Sequence, residues 1–410
     1  MRWSKAFIPT LKDAPTEAES ESHRLMLRAG LVRKLAAGSY GYLPLGWRVA
    51  QKLAGVVREE LDKLGALEVQ APGLQPFELW EQSARAAEFG EALFTLRDRR
   101  GAKQALGPAH EEAIVALVKN DLASYRQLPL ILYQVQERFR DEARSYGGVI
   151  ETREFLTADA YSFDADEAGL GRSYAALLAA FRGVFGRCGL KPLLVEAESG
   201  SHKFVAVSGA GEDAVIRCSA CDYAATPNRA EAGVPPQDES APEPIQAVKT
   251  PDMTTIEQVR EFLKVDRRQL VKTMIYAAGT ETVAALARGD HAVNEAKLAR
   301  LLGVPTLALA DEATIERATG APMGFAGPVG LKLKIVADPA VMRLANMVTG
   351  ANQADMHLVN VNPGRDFSPD VVADIHTAVD GDPCPKCGKP VATAKGIEVA
   401  HLRKLGTQLP

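Results

Sequence analysis

Hydrophobic and polar residues follow two different periods in the first 230 residues of the chain. Apolar residues recur at helical spacing in four segments, and Gly65 is expected to end the second of them. These predicted helices span 22–34, 47–64, 111–119 and 166–188. Shorter apolar runs predict strands at 67–70, 128–142 and 153–164. The glycine-bearing loop SYGGVIE separates the last two strands, which are therefore expected to pair in antiparallel fashion.

The pattern breaks between residues 230 and 253. This segment, which contains EAGVPPQDESAPEPIQAVKTPD, is rich in proline and acidic residues and predicts a linker. Helical and strand-like runs then alternate in IEQVREFL, VKTMIYAAG, TVAALARG, EAKLARLLG, KLKIVAD and MHLVNVN. These runs predict a separate α+β domain over 254–381, with 382–410 returning to the first domain, 1–229.

Size and charge narrow the class of protein. A chain of 410 residues is too long for one hydrophobic core. The net charge of −4 gives no global reason to bind nucleic acid or a membrane, so any polyanion site must be local. The first twenty residues do not resemble a signal peptide and no run of 18 apolar residues occurs, so a cytoplasmic protein without membrane contact is expected.

Four of the five cysteines form two pairs, CSAC at Cys218/Cys221 and CPKC at Cys384/Cys387. Each pair has the spacing of a zinc knuckle, and two knuckles complete a four-sulfur site for structural Zn²⁺. The inner cysteines are 163 positions apart, so a shared metal requires the chain to build a domain and return. Two unrelated reducible pairs, or knuckles without metal, are the alternatives. Cys188 is interpreted as a small buried hydrophobe.

The segment FRDE places Arg140 and Glu142 two positions apart at the end of a predicted strand, so their side chains are expected on one face. An arginine can bind a phosphate with two hydrogen bonds, and a carboxylate can accept from an amino group or an adenine amine. Taken alone, the pair is more typical of a surface ion pair.

Several segments together resemble bacterial prolyl-tRNA synthetases, which are class II aminoacyl-tRNA synthetases. They include SKAFIPTLKDAP, HRLMLRAGLVRKLAAGSYGYLPLGWRV, EVQAPGLQP, LWEQSAR, LGPAHEE, FRDE, REFLTADAYSFD, GEDAVIRCSACDYAA and GIEVAHLRKLGT. The resemblance covers essentially the whole chain. It implies an α+β fold in which an antiparallel-sheet catalytic core carries an inserted α+β editing domain.

The resemblance assigns roles in nucleotide binding. The predicted helix that leads into EVQAPGLQP, together with that segment, resembles motif 1, which ends at Pro72 and implies a homodimer. FRDE through AYSF resembles motif 2, in which Arg140 would bind the α-phosphate of ATP, Glu142 would contact adenine, and Phe155 would stack on the adenine ring. A core aromatic is the alternative for Phe155. ATP would act together with Mg²⁺.

The implied partners are proline and the tRNA for proline. LGPAHEE matches a Thr-His-Glu loop in which Glu111 would receive the cationic imino group of proline. Glu398 and His401 would lie near the same pocket. The implied reaction is attack of the proline carboxylate on the α-phosphorus of ATP, followed by transfer to the tRNA.

The inserted domain resembles the editing domain that hydrolyses alanine wrongly attached to this tRNA. Editing is expected because alanine, which is smaller than proline, binds a proline pocket only about 1–3 kcal/mol more weakly, so the pocket cannot reject it firmly. The matching positions are Lys272, which would hold the tRNA terminus, the GFAGP loop from Gly324 to Pro328, Asp338 and His357. Each has an ordinary structural alternative, namely an exposed lysine, a turn, a strand-end aspartate and a core histidine.

Several positions depart from the family pattern. Ala109 replaces the threonine of the Thr-His-Glu loop, Ala158 replaces a lysine, and Lys203 replaces a glutamate in a shortened SGSHKF segment. The motif 2 loop reads ARSYGG without its usual second arginine, and the sequence ends before motif 3 and an anticodon-binding domain. Three hypotheses therefore stand. They are a prolyl-tRNA synthetase, a ligation-deficient paralogue that keeps trans-editing or tRNA binding, and a truncated product without activity.

Overall fold

The computed structural model describes residues 2–18, 20–145 and 147–409. The chain divides into two compact units. Unit 1 comprises residues 1–192 and 399–410, and unit 2 comprises 193–398. Tyr146, which belongs to the predicted motif 2 loop, lies outside the described residues.

Unit 1 combines six α-helices with short sheets in its described part. Its helices are α1 Glu21–Arg28, α2 Pro44–Asp62, α3 Phe77–Gln82, α4 Arg85–Phe89, α5 Glu111–Asp121 and α6 Glu167–Arg187. Its strands are β1 Val32–Ala36, β2 Ser39–Tyr42, β3 Leu67–Glu68, β4 Leu74–Pro76, β5 Thr95–Arg97, β6 Lys103–Leu106, β7 Leu130–Phe139 and β8 Glu154–Phe163.

A long antiparallel hairpin of β7 and β8 is the framework of unit 1. Its ten residue pairs run from Leu130 opposite Phe163 to Phe139 opposite Glu154. β3 adds to β7 in parallel, and β4, β6 and β5 form a second small sheet in that order. Ile114 of α5 and Leu132 of β7 belong to one buried apolar cluster, so the helix packs on the hairpin.

Unit 2 contains three helices and most of the strands. The helices are α7 Ile256–Leu263, α8 Glu295–Leu302 and α9 Glu312–Thr319. The strands are β9 Leu193–Glu196, β10 His202–Val207, β11 Asp213–Cys218, β12 Ala224–Ala225, β13 Gln246–Lys249, β14 Val271–Ala278, β15 Glu281–Arg288, β16 Leu307–Leu309, β17 Lys334–Ala337, β18 Met347–Gly350, β19 Met356–Val361, β20 Val371–Val372 and β21 Val391–Leu402.

These strands form a barrel and two sheets. The barrel contains β10, β21, β11, β12 and β9. A five-stranded sheet has the order β16-β14-β15-β17-β20, and a three-stranded sheet has the order β13-β19-β18. The helix and strand runs predicted after residue 253 correspond to α7, β14, β15, α8, β17 and β19, so these predictions are confirmed.

Three sequence predictions differ from the structure. The helix predicted over 22–34 ends at Arg28, because Gly30 adopts a φ of +68° and the chain then enters β1. The strand predicted through residue 142 ends at Phe139, because the N–H groups of Phe139 and Asp141 donate to the carbonyls of Gly107 and Ala92 instead of to β8.

The third difference concerns the predicted linker at 230–253. It contains β13, which pairs with β19 from Gln246 opposite Val359 to Lys249 opposite Met356. The proline and acidic content of this segment hid a strand that is stabilised by its partner and not by its own apolar residues. Across the described residues, no helix combines the length and the apolar character needed to cross a membrane.

Candidate active site and editing cavity

Glu111 is the first residue of α5 and lies among positive charges. Its carboxylate is 3.4 Å from Arg85 Nη1 and 3.8 Å from Arg403 Nη2. Burial alone would raise the pKa of Glu111, but Arg85, Arg138 and Arg403 together hold it below its ordinary value. Its Oε2 atom is buried and accepts no hydrogen bond within the described chain. An ionised carboxylate with spare acceptor capacity is suited to a cationic ligand.

Arg140 lies directly after β7, next to Phe155 on β8. Its Cζ atom is 5.5 Å from the centre of the Phe155 ring, and its Nε donates to the Pro108 carbonyl at 3.4 Å. Burial, followed by repulsion from Arg138, lowers the pKa of Arg140, whereas Glu142 and Glu111 raise it. A guanidinium beside an aromatic face fits a phosphate and an adjacent base.

Glu142 was predicted to belong to the strand that became β7. In the structure it lies three residues after the end of β7 and is not paired with β8. Its backbone carbonyl accepts from Arg153 Nε at 3.3 Å, and Arg153 also pairs with Asp141 at 3.4 Å. Glu142 therefore lies in a segment that Arg153, the residue before β8, helps to fix.

The sequence interpretation missed a polar face of the β7–β8 hairpin. Arg138 forms a buried ion pair with Asp159, and Gln136 bonds to His110 at 3.1 Å between their Nε2 atoms. Several buried polar atoms near this pair lack a hydrogen-bond partner in the described part of unit 1; they are His110 Nδ1, Glu111 Oε2, Gln136 Oε1 and Tyr161 Oη. The signal in the sequence was the period-two alternation of Gln134, Gln136 and Arg138 in a strand whose other residues, apart from Glu137, are apolar or aromatic.

The two C-terminal residues predicted near the proline pocket belong to different units. Glu398, in unit 2, is exposed and pairs with Lys203 at 2.7 Å. Burial lowers the pKa of Lys203, but the bond to Glu398 raises it overall. His401, in unit 1, is exposed on β21, and two residues later Arg403 approaches Glu111.

A cavity of about 340 Å³ opens between the two sheets of unit 2. Lys272 of β14, Gly324 of the GFAGP loop and His357 of β19 all line it. Three of the predicted editing positions, which lie far apart in sequence, are thus brought to one cavity. Asp338 and Pro328 are not among the described residues that line it.

His357 is buried and faces two neighbours. Its Nδ1 atom is 2.7 Å from Thr250 Oγ1, and its ring is 5.6 Å from that of Phe325. Burial lowers the pKa of His357 to about 4, so the imidazole is neutral at physiological pH. Burial, followed by repulsion from Arg267, also lowers the pKa of Lys272.

The GFAGP loop is held tightly against β18. Gly324 adopts a φ of +100°, and a Cβ atom there would lie 2.8 Å from Thr254 Cα. A Cβ atom on Gly327 would lie 1.8 Å from the Gly350 carbonyl oxygen. Asn352 fixes the loop, since its Nδ2 donates to the carbonyls of Gly327 and Val329 at 3.0 Å. The glycines are therefore required by close backbone contact.

Asp338 belongs to a separate buried network. Its Oδ2 atom is 2.7 Å from His376 Nδ1, and His376 Nε2 is 3.1 Å from Asp382 Oδ2. The ring of His376 stacks on that of His291 at 4.0 Å. Burial would lower the pKa of His376, but the two aspartates raise it to about 9. His376 is therefore cationic at neutral pH.

The four paired cysteines converge in space. Their sulfur atoms all lie within 4.8 Å of one another, and all four are free thiols. Cys218 Sγ is 3.5 Å from Cys387 Sγ, and Cys221 Sγ is 3.6 Å from Cys384 Sγ. The chain therefore returns after 163 positions to the place that it left, as the spacing predicted.

Comparison with known proteins identifies the family. The family profile described as "Aminoacyl-tRNA editing domain" matches residues 250–367. A proline–tRNA ligase of Geobacter metallireducens is 50% identical over the whole chain, which spans 73% of that relative. Those of Desulforamulus reducens and Moorella thermoacetica are 48% and 47% identical with the same coverage.

The chain belongs to the proline–tRNA ligase family. The predicted family and the predicted α+β fold class with an inserted editing domain are confirmed. A prolyl-tRNA synthetase structure from Giardia lamblia, in complex with prolyl-adenylate, has a TM-score of 0.43 and 21% identity, covering 47% of this chain and 42% of that one.

Ala109 is the departure from the proline–tRNA ligase pattern that lies nearest to Glu111. Its side chain is buried in an apolar cluster with Phe77, Trp80 and Leu93. Its carbonyl accepts from Gln75 Nε2 at 3.1 Å, and Gln75 Oε1 in turn accepts from Trp80 Nε1 at 3.0 Å. The loop before Glu111 is thus fixed through its backbone, and this does not require the threonine hydroxyl.

Replacing His357 should change how stability depends on pH. In the unfolded chain His357 binds a proton near pH 6.5, whereas in the folded chain its pKa is about 4. Its contribution to the free energy of unfolding is therefore lost as the pH falls from 6.5 to 4, and amounts to about 3 kcal/mol. Denaturant unfolding of His357→Asn should lack this part of the pH dependence. The exposed-residue control His401→Asn should retain it, and parallel curves for wild type and His357→Asn would contradict the assignment.

Proposed function

We propose that this chain activates proline with ATP for transfer to its tRNA, and that its inserted domain hydrolyses alanine wrongly attached to that tRNA. The observation that carries the first activity is the Glu111 carboxylate, which is kept ionised and whose Oε2 atom, 3.4 Å from Arg85, accepts no hydrogen bond within the described chain. It lies within electrostatic range of Arg140, which is beside Phe155. A cationic amine and a nucleotide phosphate would thus have complementary partners in one unit.

The residues of unit 1 would act by position and charge. Glu111 would bind the imino cation of proline, so that the proline carboxylate faces the α-phosphorus. A carboxylate oxygen would form the new bond to phosphorus as the bond to the pyrophosphate oxygen breaks. Arg140 would stabilise the negative charge on the phosphoryl oxygens, Phe155 would support the adenine ring, and Glu142 would contact its amino group. Mg²⁺ would neutralise charge on the ATP phosphates.

The residues of unit 2 would position an ester for attack by water. Lys272 would bind a phosphate of the tRNA terminus, and the GFAGP loop would confine the aminoacyl group. His357 is neutral and bonded to Thr250, so it would orient groups in the cavity without carrying charge. Asp338 would contribute from outside the cavity by fixing the sheet that contains β14. Water would add to the ester carbonyl, and alanine and the free tRNA would leave.

Glu111→Gln should reduce proline activation. The substitution keeps the shape of the side chain but removes the charge that would bind the imino group. Proline-dependent ATP–pyrophosphate exchange should fall about 10- to 100-fold in kcat/KM, mainly through a higher KM for proline. Glu137→Gln, an exposed position on the same hairpin, is the matched control. Wild-type exchange in Glu111→Gln would refute its role. No exchange in the wild-type chain would refute the ligase proposal and favour the paralogue.

Lys272→Ala should impair hydrolysis of alanyl-tRNA specific for proline, because the cavity loses its cation. The expected loss in deacylation rate is about 10- to 100-fold at a fixed low enzyme concentration. Lys334→Ala changes an exposed lysine of the same unit and should behave as wild type. Pyrophosphate exchange should be unaffected in both variants. Unchanged deacylation by Lys272→Ala would contradict the editing role.

We also propose that the four cysteines hold a structural Zn²⁺. Tetrahedral coordination with Zn–S bonds of about 2.3 Å places sulfur atoms roughly 3.8 Å apart, close to the 3.5 and 3.6 Å of the two contacting pairs. The site would link Cys218 and Cys221, at the end of β11, to the segment before β21. It would stabilise the fold and take no part in the chemistry.

Metal analysis of the purified chain should give about one zinc per chain. Cys221→Ser should lose the metal and unfold at a lower temperature. Cys188→Ser should keep the wild-type zinc content and the wild-type midpoint of thermal unfolding. Four reactive thiols in a metal-free wild-type protein, or two disulfides, would refute the site.

A second copy of this chain is the proposed partner for α2. Its Trp47, Val49 and Leu53 are each more than 40% exposed, although they are large and apolar. Val49 and Leu53, four positions apart, share one face of α2, and an exposed apolar face is typical of an interface. These residues lie on the helix of the predicted motif 1, so the homodimer remains a proposal with this support. The cytoplasmic location stays a prediction.

A further inference from the structure

The hairpin of β5 and β6 ends in a tight, internally bonded tip. The last pair of its ladder joins Arg97 to Lys103. Asp98 Oδ1 accepts from the backbone N–H groups of Arg100 and Ala102 at 2.7 and 2.9 Å, and Gly101 adopts a φ of +85°. The carboxylate of Asp98 is therefore engaged in holding the turn. The turn therefore has a fixed backbone geometry, which sets the positions of the neighbouring side chains.

The tip carries an excess of positive charge. Four cations, Arg97, Arg99, Arg100 and Lys103, accompany the single carboxylate of Asp98. Arg97, Arg99 and Arg100 are exposed, and neither Arg99 nor Arg100 forms an ion pair with any carboxylate in the described part of the chain. The whole chain has 48 basic and 52 acidic residues, so this concentration of unpaired arginines is a local feature.

β6 connects this tip to the candidate active site. One residue after β6 ends, the Gly107 carbonyl accepts from the Phe139 N–H, and the next carbonyl, that of Pro108, accepts from Arg140. Glu111 follows at the start of α5. At about 3.3 Å per strand residue, the tip lies on the order of 10 to 20 Å from these groups. Both belong to unit 1, so the distance is fixed by one continuous backbone.

We propose that Arg99 and Arg100 bind the sugar-phosphate backbone of the tRNA acceptor strand, a few nucleotides from the 3′ end that enters the active site. This inference rests on the proposed function, since it requires that end to reach Glu111 and Arg140. Exposed arginines on a fixed turn suit phosphates because each guanidinium offers two parallel donors. The contact is independent of base identity and orients the RNA.

Binding of the tRNA for proline to this chain, measured by fluorescence anisotropy at several salt concentrations, tests the proposal. The double variant Arg99→Ala/Arg100→Ala should bind about tenfold more weakly, and the slope of log affinity against log salt should fall by about one to two. Arg99→Lys/Arg100→Lys should retain most of the affinity, because it keeps the charge. Arg172→Ala/Arg182→Ala removes two exposed arginines of α6 and should bind like wild type.

Proline-dependent pyrophosphate exchange separates this inference from the function that it rests on. Exchange needs no tRNA, so Arg99→Ala/Arg100→Ala should exchange at the wild-type rate. Absence of exchange in every variant, wild type included, would refute the ligase proposal. The binding experiment would still test whether Arg99 and Arg100 contact the tRNA. An unchanged affinity and salt slope, an equal loss in the α6 control, or no tRNA binding by the wild-type chain would overturn the proposal.

Discussion

The pairing of β11 with β21 is the constraint on which the rest of unit 2 depends. Six consecutive residue pairs, from Asp213 opposite Gly396 to Cys218 opposite Val391, join parts of the chain that are far apart in sequence. The intervening chain must therefore begin and end within one ladder. The two ends of the inserted segment are therefore held next to each other by the β11–β21 ladder, whatever structure the segment forms between them. The cysteine pairs lie at the end of this ladder, where the proposed Zn²⁺ would link both ends of the insertion.

The two candidate sites differ in how many charged groups they contain. Around Glu111 the chain gathers ionised groups, and Arg85 keeps the carboxylate charged despite its burial. Around His357 burial keeps the imidazole neutral, and Lys272 is the one cation among the described residues that line the cavity. The first arrangement suits a cationic amino acid and an anionic nucleotide. The second suits a neutral ester and water. The difference follows from what each site would have to bind, since a charge is retained in a buried place only where a counter-charge compensates for lost solvation.

Much of this could be predicted from the sequence, for identifiable physical reasons. Helices such as α7 carry their signals locally, in a Thr255 cap and an apolar stripe. The cysteine spacing predicted the return of the chain because metal geometry fixes the spacing of its ligands. β13 was missed because its stability comes from β19 and not from its own residues. The polar face with Gln136 and Arg138 was also missed, because its partners, on β8 and directly before α5, are set by tertiary packing.

The place of Asp338 shows how a residue can match a functional pattern and yet lie away from the cavity. It directly follows β17, which pairs with β15, and β15 pairs with β14, which carries Lys272. Its carboxylate accepts from the backbone N–H groups of Ala340 and Ile375 as well as bonding to His376. Removing one partner of such a buried, fully bonded pair costs about 3–5 kcal/mol, because the other charge remains uncompensated. We infer that Asp338 serves the cavity by fixing the edge of the sheet that positions Lys272. A substitution there would act on the geometry of the whole sheet and not on a contact with substrate.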